Sequence, residues 1–192
     1  MLATALCLAV MVSAFASGAA AHEGAAAIGG FVSGLAHPVF GPDHVAAMVA
    51  VGLWGAFLGM PAMWILPVVF PLVMALGGML GILGVPMPQV ETGIALSAIV
   101  LGLAVALAAR PPLWVAAIVV GGFAVFHGHA HGAELPAATN ALAYSIGFVA
   151  ATGLLHLSGI AFGLAVRWQA GRIAVRFAGA GIATAGMVFL AA

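Results

Sequence analysis

The sequence predicts an all-α integral membrane protein, a bundle of six transmembrane helices that follows a cleavable signal peptide. Of the 192 residues, 66% are hydrophobic and only 4% are charged. Four acidic residues and four arginines cannot cover the surface of a soluble domain of this size. Apolar stretches also recur at lengths near the ~20 residues that cross a ~30 Å hydrocarbon core. The short loops between them leave no room for a soluble domain.

The N-terminus has the pattern of a signal peptide. A short apolar run over 2–16 is followed by Ser17, Gly18 and three alanines, which predicts cleavage close to residue 21. The chain then divides into a leader, 1–21, and a single transmembrane domain, 22–192. The run carries no lysine or arginine, so an uncleaved first helix is the alternative. Cys7 is the single cysteine and cannot form an intramolecular disulfide.

Prolines, glycines and charges divide the transmembrane domain into six spans. The first is expected to be broken near Pro38–Pro42, because Pro38 disfavours helix at His37 and Pro42 suits the first turn of a new helix. Glycines four apart at 55 and 59, 77 and 81, and 159 and 163 predict close helix packing. The six predicted spans cover approximately 24–59, 62–84, 90–109, 113–131, 137–166 and 173–192.

The arginines predict the orientation. Arg110 follows the third span, and Arg167, Arg172 and Arg176 lie between the fifth and the sixth. Both loops then fall on one side, and short arginine-bearing loops stay cytoplasmic. The mature N- and C-termini are therefore expected outside. A formal net charge of zero without a basic stretch argues against nucleic acid as a partner.

Ionisable residues cluster at two places, and both clusters predict a metal site. His37, Asp43 and His44 surround the expected helix break, where irregular backbone inside a membrane can build an ion site. The second cluster spans 127–134 and contains three histidines and a glutamate. If it is helical, His127, His131 and Glu134 lie on one face of the helix, and His129 lies on a different face. Gly128 and Gly132 weaken that helix, so an unwound segment is the alternative.

The predicted topology brings these residues to the outer face. Ionisable groups inside a membrane are costly and usually functional, so the metal ligands are predicted to be His37, Asp43, His44, His127, His131 and Glu134. Further ligand or pathway residues are His22, Glu91, His129 and His156. For His156, deep in the fifth span, a structural hydrogen bond is an equal alternative. Ligand type alone does not choose nickel over cobalt, zinc or copper.

Both motifs resemble the two signatures of the HupE/UreJ family of hydrogenase and urease accessory proteins. The first is the histidine, proline, glycine and Asp-His pattern of 37–44, and the second is Phe-His-Gly-x-Ala-His-Gly-x-Glu over 126–134. The resemblance extends over nearly the whole chain and implies the same six ligands, with position 129 variable. It also implies a multi-pass protein of the bacterial cytoplasmic membrane, a Ni²⁺ permease that supplies hydrogenase or urease maturation proteins.

Three other functions compete with a permease. A non-transporting accessory protein would bind nickel and pass it to a partner. A membrane hydrolase is disfavoured because the sequence lacks both His-Glu-x-x-His and Gly-x-Ser-x-Gly, so the chain is not expected to be an enzyme. A haem protein with paired histidines would be recognised by its absorption spectrum. No lysine is present, hence no P-loop.

Overall fold

The first predicted span is broken, and the break is a single residue, Gly41. A computed structural model describes residues 30–135 and 141–192. Its first two helices, α1 (Gly30–Phe40) and α2 (Pro42–Leu58), are bent by 77° relative to each other. Gly41 between them has an extended backbone, with φ −86° and ψ 104°. Pro42 opens α2, where its missing N–H needs no helical partner.

The chain is helical at His37 and Pro38, where the sequence predicted irregular backbone. The His37 carbonyl accepts a hydrogen bond from Gly41 N at 3.0 Å, which continues the helix. The residue before a proline usually prefers extended backbone, and tertiary packing outweighs that preference at His37. Pro38 is buried, and Gly34 lies directly against the backbone of Tyr144.

The rest of the described chain is helical too, and it agrees with the predicted order of spans. Four helices, one of them extended by a 3₁₀ segment, are long and apolar enough to cross a membrane, and the bent α1–α2 pair would be a fifth span. Val90–Ala106 is apolar but shorter, with 17 residues. An all-α architecture is thus confirmed for the described residues, with four to five candidate membrane spans. The helices after α2 are α3 (Ala62–Ile82), α4 (Val90–Ala106), α5 (Leu113–Ala133), α6 (Ala141–Gly163), a short 3₁₀ helix (Leu164–Arg167) and α7 (Gln169–Ala191).

Glycines let the helix backbones touch, as their spacing predicted. Gly77 and Gly81 of α3 press against the carbonyls of Val125 and His129 in α5. A side chain at either glycine would collide with backbone atoms. Gly59 has another role, because it caps the C-terminal end of α2 with φ +80° and has open space where a Cβ would lie.

Helix α5 continues through Gly128 and Gly132, so the helical interpretation of this segment holds and the alternative of an unwound segment does not. Gly128 lies against the Met74 carbonyl, and Gly132 lies against the Gly78 carbonyl. These contacts bring α3 and α5 together along the final turns of α5. The glycines therefore serve close packing, and packing offsets their low helix propensity.

The two arginine-bearing loops lie at one end of the bundle. Trp54 Nε1 donates a hydrogen bond to the Ala109 carbonyl at 3.0 Å, which places the C-terminal part of α2 beside the loop after α4. Arg176 Nε, in the second turn of α7, donates to the Ala106 carbonyl at 2.7 Å. Asp43, in the first turn of α2, lies at the opposite end. We call these two ends the arginine end and the histidine end.

Candidate metal centre

Three imidazoles converge where the helix break of α1–α2 faces the end of α5. The ligating nitrogens of His37, His44 and His131 all lie within 4.8 Å of one another. The His131 ring centroid is 4.6 Å from that of His37 and 4.5 Å from that of His44. Nitrogen ligands lie ~2.0–2.1 Å from a bound divalent ion such as zinc, so small side-chain rotations would bring these three to one ion. We call these residues the histidine triad.

Asp43 fixes the tautomer of His44. The Asp43 carboxylate oxygen lies 2.7 Å from His44 Nδ1 and also accepts a hydrogen bond from the backbone N–H of His44 at 2.9 Å. A carboxylate can only accept, so Nδ1 must carry the hydrogen. The lone pair of His44 is then on Nε2, which is buried and has no hydrogen-bond partner among the described residues. A carboxylate behind a ligating histidine also raises its basicity.

Ser97 orients a fourth imidazole, that of His127. The Ser97 hydroxyl donates to the Ile94 carbonyl at 2.6 Å and lies 2.9 Å from His127 Nε2. Its single hydrogen is used, so the serine oxygen accepts the N–H of His127. This leaves the lone pair on Nδ1, for which the described residues provide no partner. The His127 ring lies 5.0 Å from that of His44, beside the triad.

The surroundings of the triad are aromatic. The Phe148 ring centroid lies 4.1 Å from that of His131, and the Tyr144 ring lies 6.3 Å from that of His37. Both ring nitrogens of His131 are buried without a hydrogen-bond partner in the described part of the chain. Leaving a buried polar group unpaired costs about 1–3 kcal/mol. In the neutral ring one nitrogen carries a lone pair and the other an N–H, so a cation would remove the cost for the first nitrogen.

The other predicted ligands are distributed around this centre. His129 faces away from the triad and donates Nε2–H to the Val85 carbonyl at 2.7 Å. Glu134 follows the last residue of α5 and Glu91 lies in the first turn of α4, and both are exposed. Neither belongs to the group of three that could share one ion. His156 is buried within α6, and His22 lies outside the described residues.

The sequence patterns did not identify Ser97, or the two phenylalanines that contact the histidines, Phe70 and Phe148. Ser97 is a single hydroxyl in the apolar interior of α4, which was the one available sign. Phe70 and Phe148 looked like ordinary apolar residues of membrane spans. Their contacts with histidines join segments far apart in the chain, and spacing along one helix does not reveal them.

Comparisons with known proteins agree with the motifs. The family model described as "HupE / UreJ protein" matches residues 9–189. The chain is 51% identical over 161 residues to "Protein HupE" of Rhizobium leguminosarum bv. viciae, and the match covers 84% of each protein. No solved structure matches the chain.

Proposed function

The chain belongs to the HupE/UreJ family, and from this premise we propose that it is a Ni²⁺ permease of the bacterial cytoplasmic membrane. In this proposal it supplies nickel to hydrogenase or urease maturation proteins. The observation that carries the proposal is the approach of three ligating nitrogens within 4.8 Å at a broken helix. Broken membrane helices are a common way to build ion sites in transporters.

The chemistry of the centre suits a borderline divalent cation. Imidazole nitrogen is a good ligand for nickel, copper and zinc, and a poor one for the harder magnesium and calcium ions. The triad provides nitrogen ligands, and Asp43 adds one negative charge in contact with His44. His127 lies close enough to join or to receive the ion. Three protein ligands leave coordination positions open, which favours release over permanent storage.

The proposed topology has six spans, with the histidine end outside. Helix α4 has 17 residues and is about 25 Å long at 1.5 Å per residue, which nearly spans the hydrocarbon core. The arginine end would be cytoplasmic by the positive-inside rule. With the leader 1–21 removed, both mature termini would lie outside. A reporter fused after Ala192 should then be active outside the cytoplasm, and activity inside would contradict six spans.

The membrane potential would be sufficient to drive uptake. Two positive charges that cross 100 mV gain about 4.6 kcal/mol, at about 2.3 kcal/mol for each charge. This corresponds to more than a thousandfold accumulation. Only neutral imidazole binds a metal, so protonation of the ligating histidines at acidic pH should oppose uptake.

Uptake by purified protein in vesicles tests the proposal and its alternative. Vesicles should be loaded with a nickel-sensitive dye and given an inside-negative potential with limiting Ni²⁺ outside. We expect wild-type protein to admit nickel and His131→Ala to reduce the initial rate at least tenfold. Nickel binding without entry would refute a permease and support a non-transporting accessory protein. Cobalt and zinc as competitors would give the metal preference.

A further inference from the structure

A second group of buried polar atoms lies deeper in the bundle than the histidine triad. The side chains of Thr152 and His156 are one helical turn apart on the same face of α6, with exposures of 0% and 1%. The Thr152 hydroxyl and both ring nitrogens of His156 have no partner in hydrogen-bond geometry among residues 30–135 and 141–192. Buried groups of this kind are rare unless a ligand or water completes them.

A backbone carbonyl is freed beside the same ring. Helix α3 contains Pro67 and Pro71 in its interior. Because Pro71 has no N–H, the Pro67 carbonyl loses its helical partner. That carbonyl lies close enough to His156 to interact with it. Freed carbonyls of interrupted helices coordinate ions in other membrane transporters.

The contact of this group with α2 gives its position along the bundle. Gly52 lies against the His156 carbonyl. It is eight residues beyond His44 along α2, or about 12 Å at 1.5 Å per residue. Helix α2 runs from the histidine end towards the arginine end, so His156 lies between the two.

One aromatic ring separates the outer histidines from His156. The Phe70 ring centroid lies 5.4 Å from that of His127 and 5.3 Å from that of His156, and the Phe70 side chain is fully buried. Phe70 is therefore an apolar side chain in contact with both imidazoles. The arrangement has an outer ligand group, an apolar barrier and an inner ligand group.

We propose that His156, Thr152 and the Pro67 carbonyl form an inner binding position for the transported divalent cation. The inference rests on the proposed function and adds a second binding position to the transport path. One imidazole nitrogen and two oxygens make a weaker ligand set than three imidazoles. An ion would therefore pass to the inner position without being trapped there. A purely structural His156 would only satisfy the Pro67 carbonyl.

A thiol placed at position 156 gives a direct test of metal contact. With Cys7→Ser as background, His156→Cys should be purified in detergent and titrated with Co²⁺. We expect a sulfur-to-cobalt charge-transfer band, because a ligating thiolate binds cobalt directly. The matched control is Ser158→Cys on the same helix, where the native hydroxyl donates to the Leu155 carbonyl at 2.7 Å. We expect no band there. No band from His156→Cys, with nickel binding at the triad intact, would overturn the inner position.

A second variant separates transport from a structural role. His156→Gln keeps an N–H donor for the Pro67 carbonyl and removes the imidazole ligand. We expect at least a tenfold loss of nickel flux in vesicles, while equilibrium Ni²⁺ binding to the triad stays within twofold of wild type. Wild-type flux in His156→Gln would show a structural histidine. If the wild-type protein itself carries no nickel, the permease proposal fails, and the cobalt–thiolate band alone decides whether the inner position exists.

Discussion

The Asp43 carboxylate lies 2.7 Å from His44 Nδ1 and thereby sets which nitrogen of His44 can bind a metal. With Nδ1 protonated, the lone pair of Nε2 is free at the histidine triad. In the proposed site, the two neighbours in sequence have different roles. His44 would ligate the ion, and Asp43 would orient His44 and supply negative charge.

Asp43→Asn should weaken nickel binding about 10- to 100-fold, the usual cost of losing a partner behind a metal ligand. The amide keeps the size of the side chain, removes its charge and can present N–H₂ to Nδ1, which would favour the other tautomer of His44. Equilibrium dialysis of purified protein with Ni²⁺ measures the affinity. Asp43→Glu is the comparison that keeps the charge. Unchanged affinity in Asp43→Asn would show that the carboxylate does not control His44.

Ser97→Ala should lower nickel binding or flux about tenfold, because His127 would lose the oxygen that accepts its Nε2–H. The ring could then rotate, and its lone pair would no longer be fixed on Nδ1. Ser158→Ala removes another hydroxyl bound to its own helix and should have little effect. Both variants need a check of membrane accumulation by immunoblot. Equal nickel binding and flux in Ser97→Ala and Ser158→Ala would mean that Ser97 does not orient His127.

Within the second motif, His127→Ala and His131→Ala should reduce nickel transport far more than His129→Ala. His129 donates to the Val85 carbonyl and faces away from the triad. Its loss should loosen the segment before α4 without removing a ligand. Uptake at limiting nickel measures the difference, since excess metal can enter by other routes. A severe defect found only in His129→Ala would overturn the assignment of the centre.

Gly128→Ala should destabilise the protein strongly, because a methyl group there would collide with the Met74 carbonyl. The matched control in the same helix is Gly122→Ala, where no atom lies within 4 Å of the added carbon. That substitution should be neutral or improve helix stability by up to about 1 kcal/mol. Thermal unfolding in detergent compares the two. Similar melting temperatures would contradict the close contact between α3 and α5.

Local sequence patterns predicted the parts of the fold that local chemistry controls. Gly41 and Pro42 marked the helix break, and the spacing of His127 and His131 placed both rings on one face, in contact with His44. Patterns failed where distant segments meet. Pro38 was expected to end a helix, but packing of α1 on α6 keeps it helical.

Partners far apart in sequence explain what was missed at the centre. Ser97 and His127 are 30 residues apart, and nothing around Ser97 predicts that it faces a histidine. Phe70 likewise contacts His127 and His156 from a third helix. Such contacts follow from the way helices pack, which an apolar sequence leaves poorly determined because nearly every face is hydrophobic.

X-ray absorption at the nickel K-edge of the loaded, purified protein tests the central claim most directly, because imidazole ligands give a characteristic outer-shell scattering. We predict imidazole scattering from wild-type protein loaded with one equivalent of Ni²⁺, reduced by one ring in His131→Ala and unchanged in His129→Ala. A spectrum with only oxygen ligands, or one that is the same in His131→Ala and wild type, would contradict a nickel site at the histidine triad.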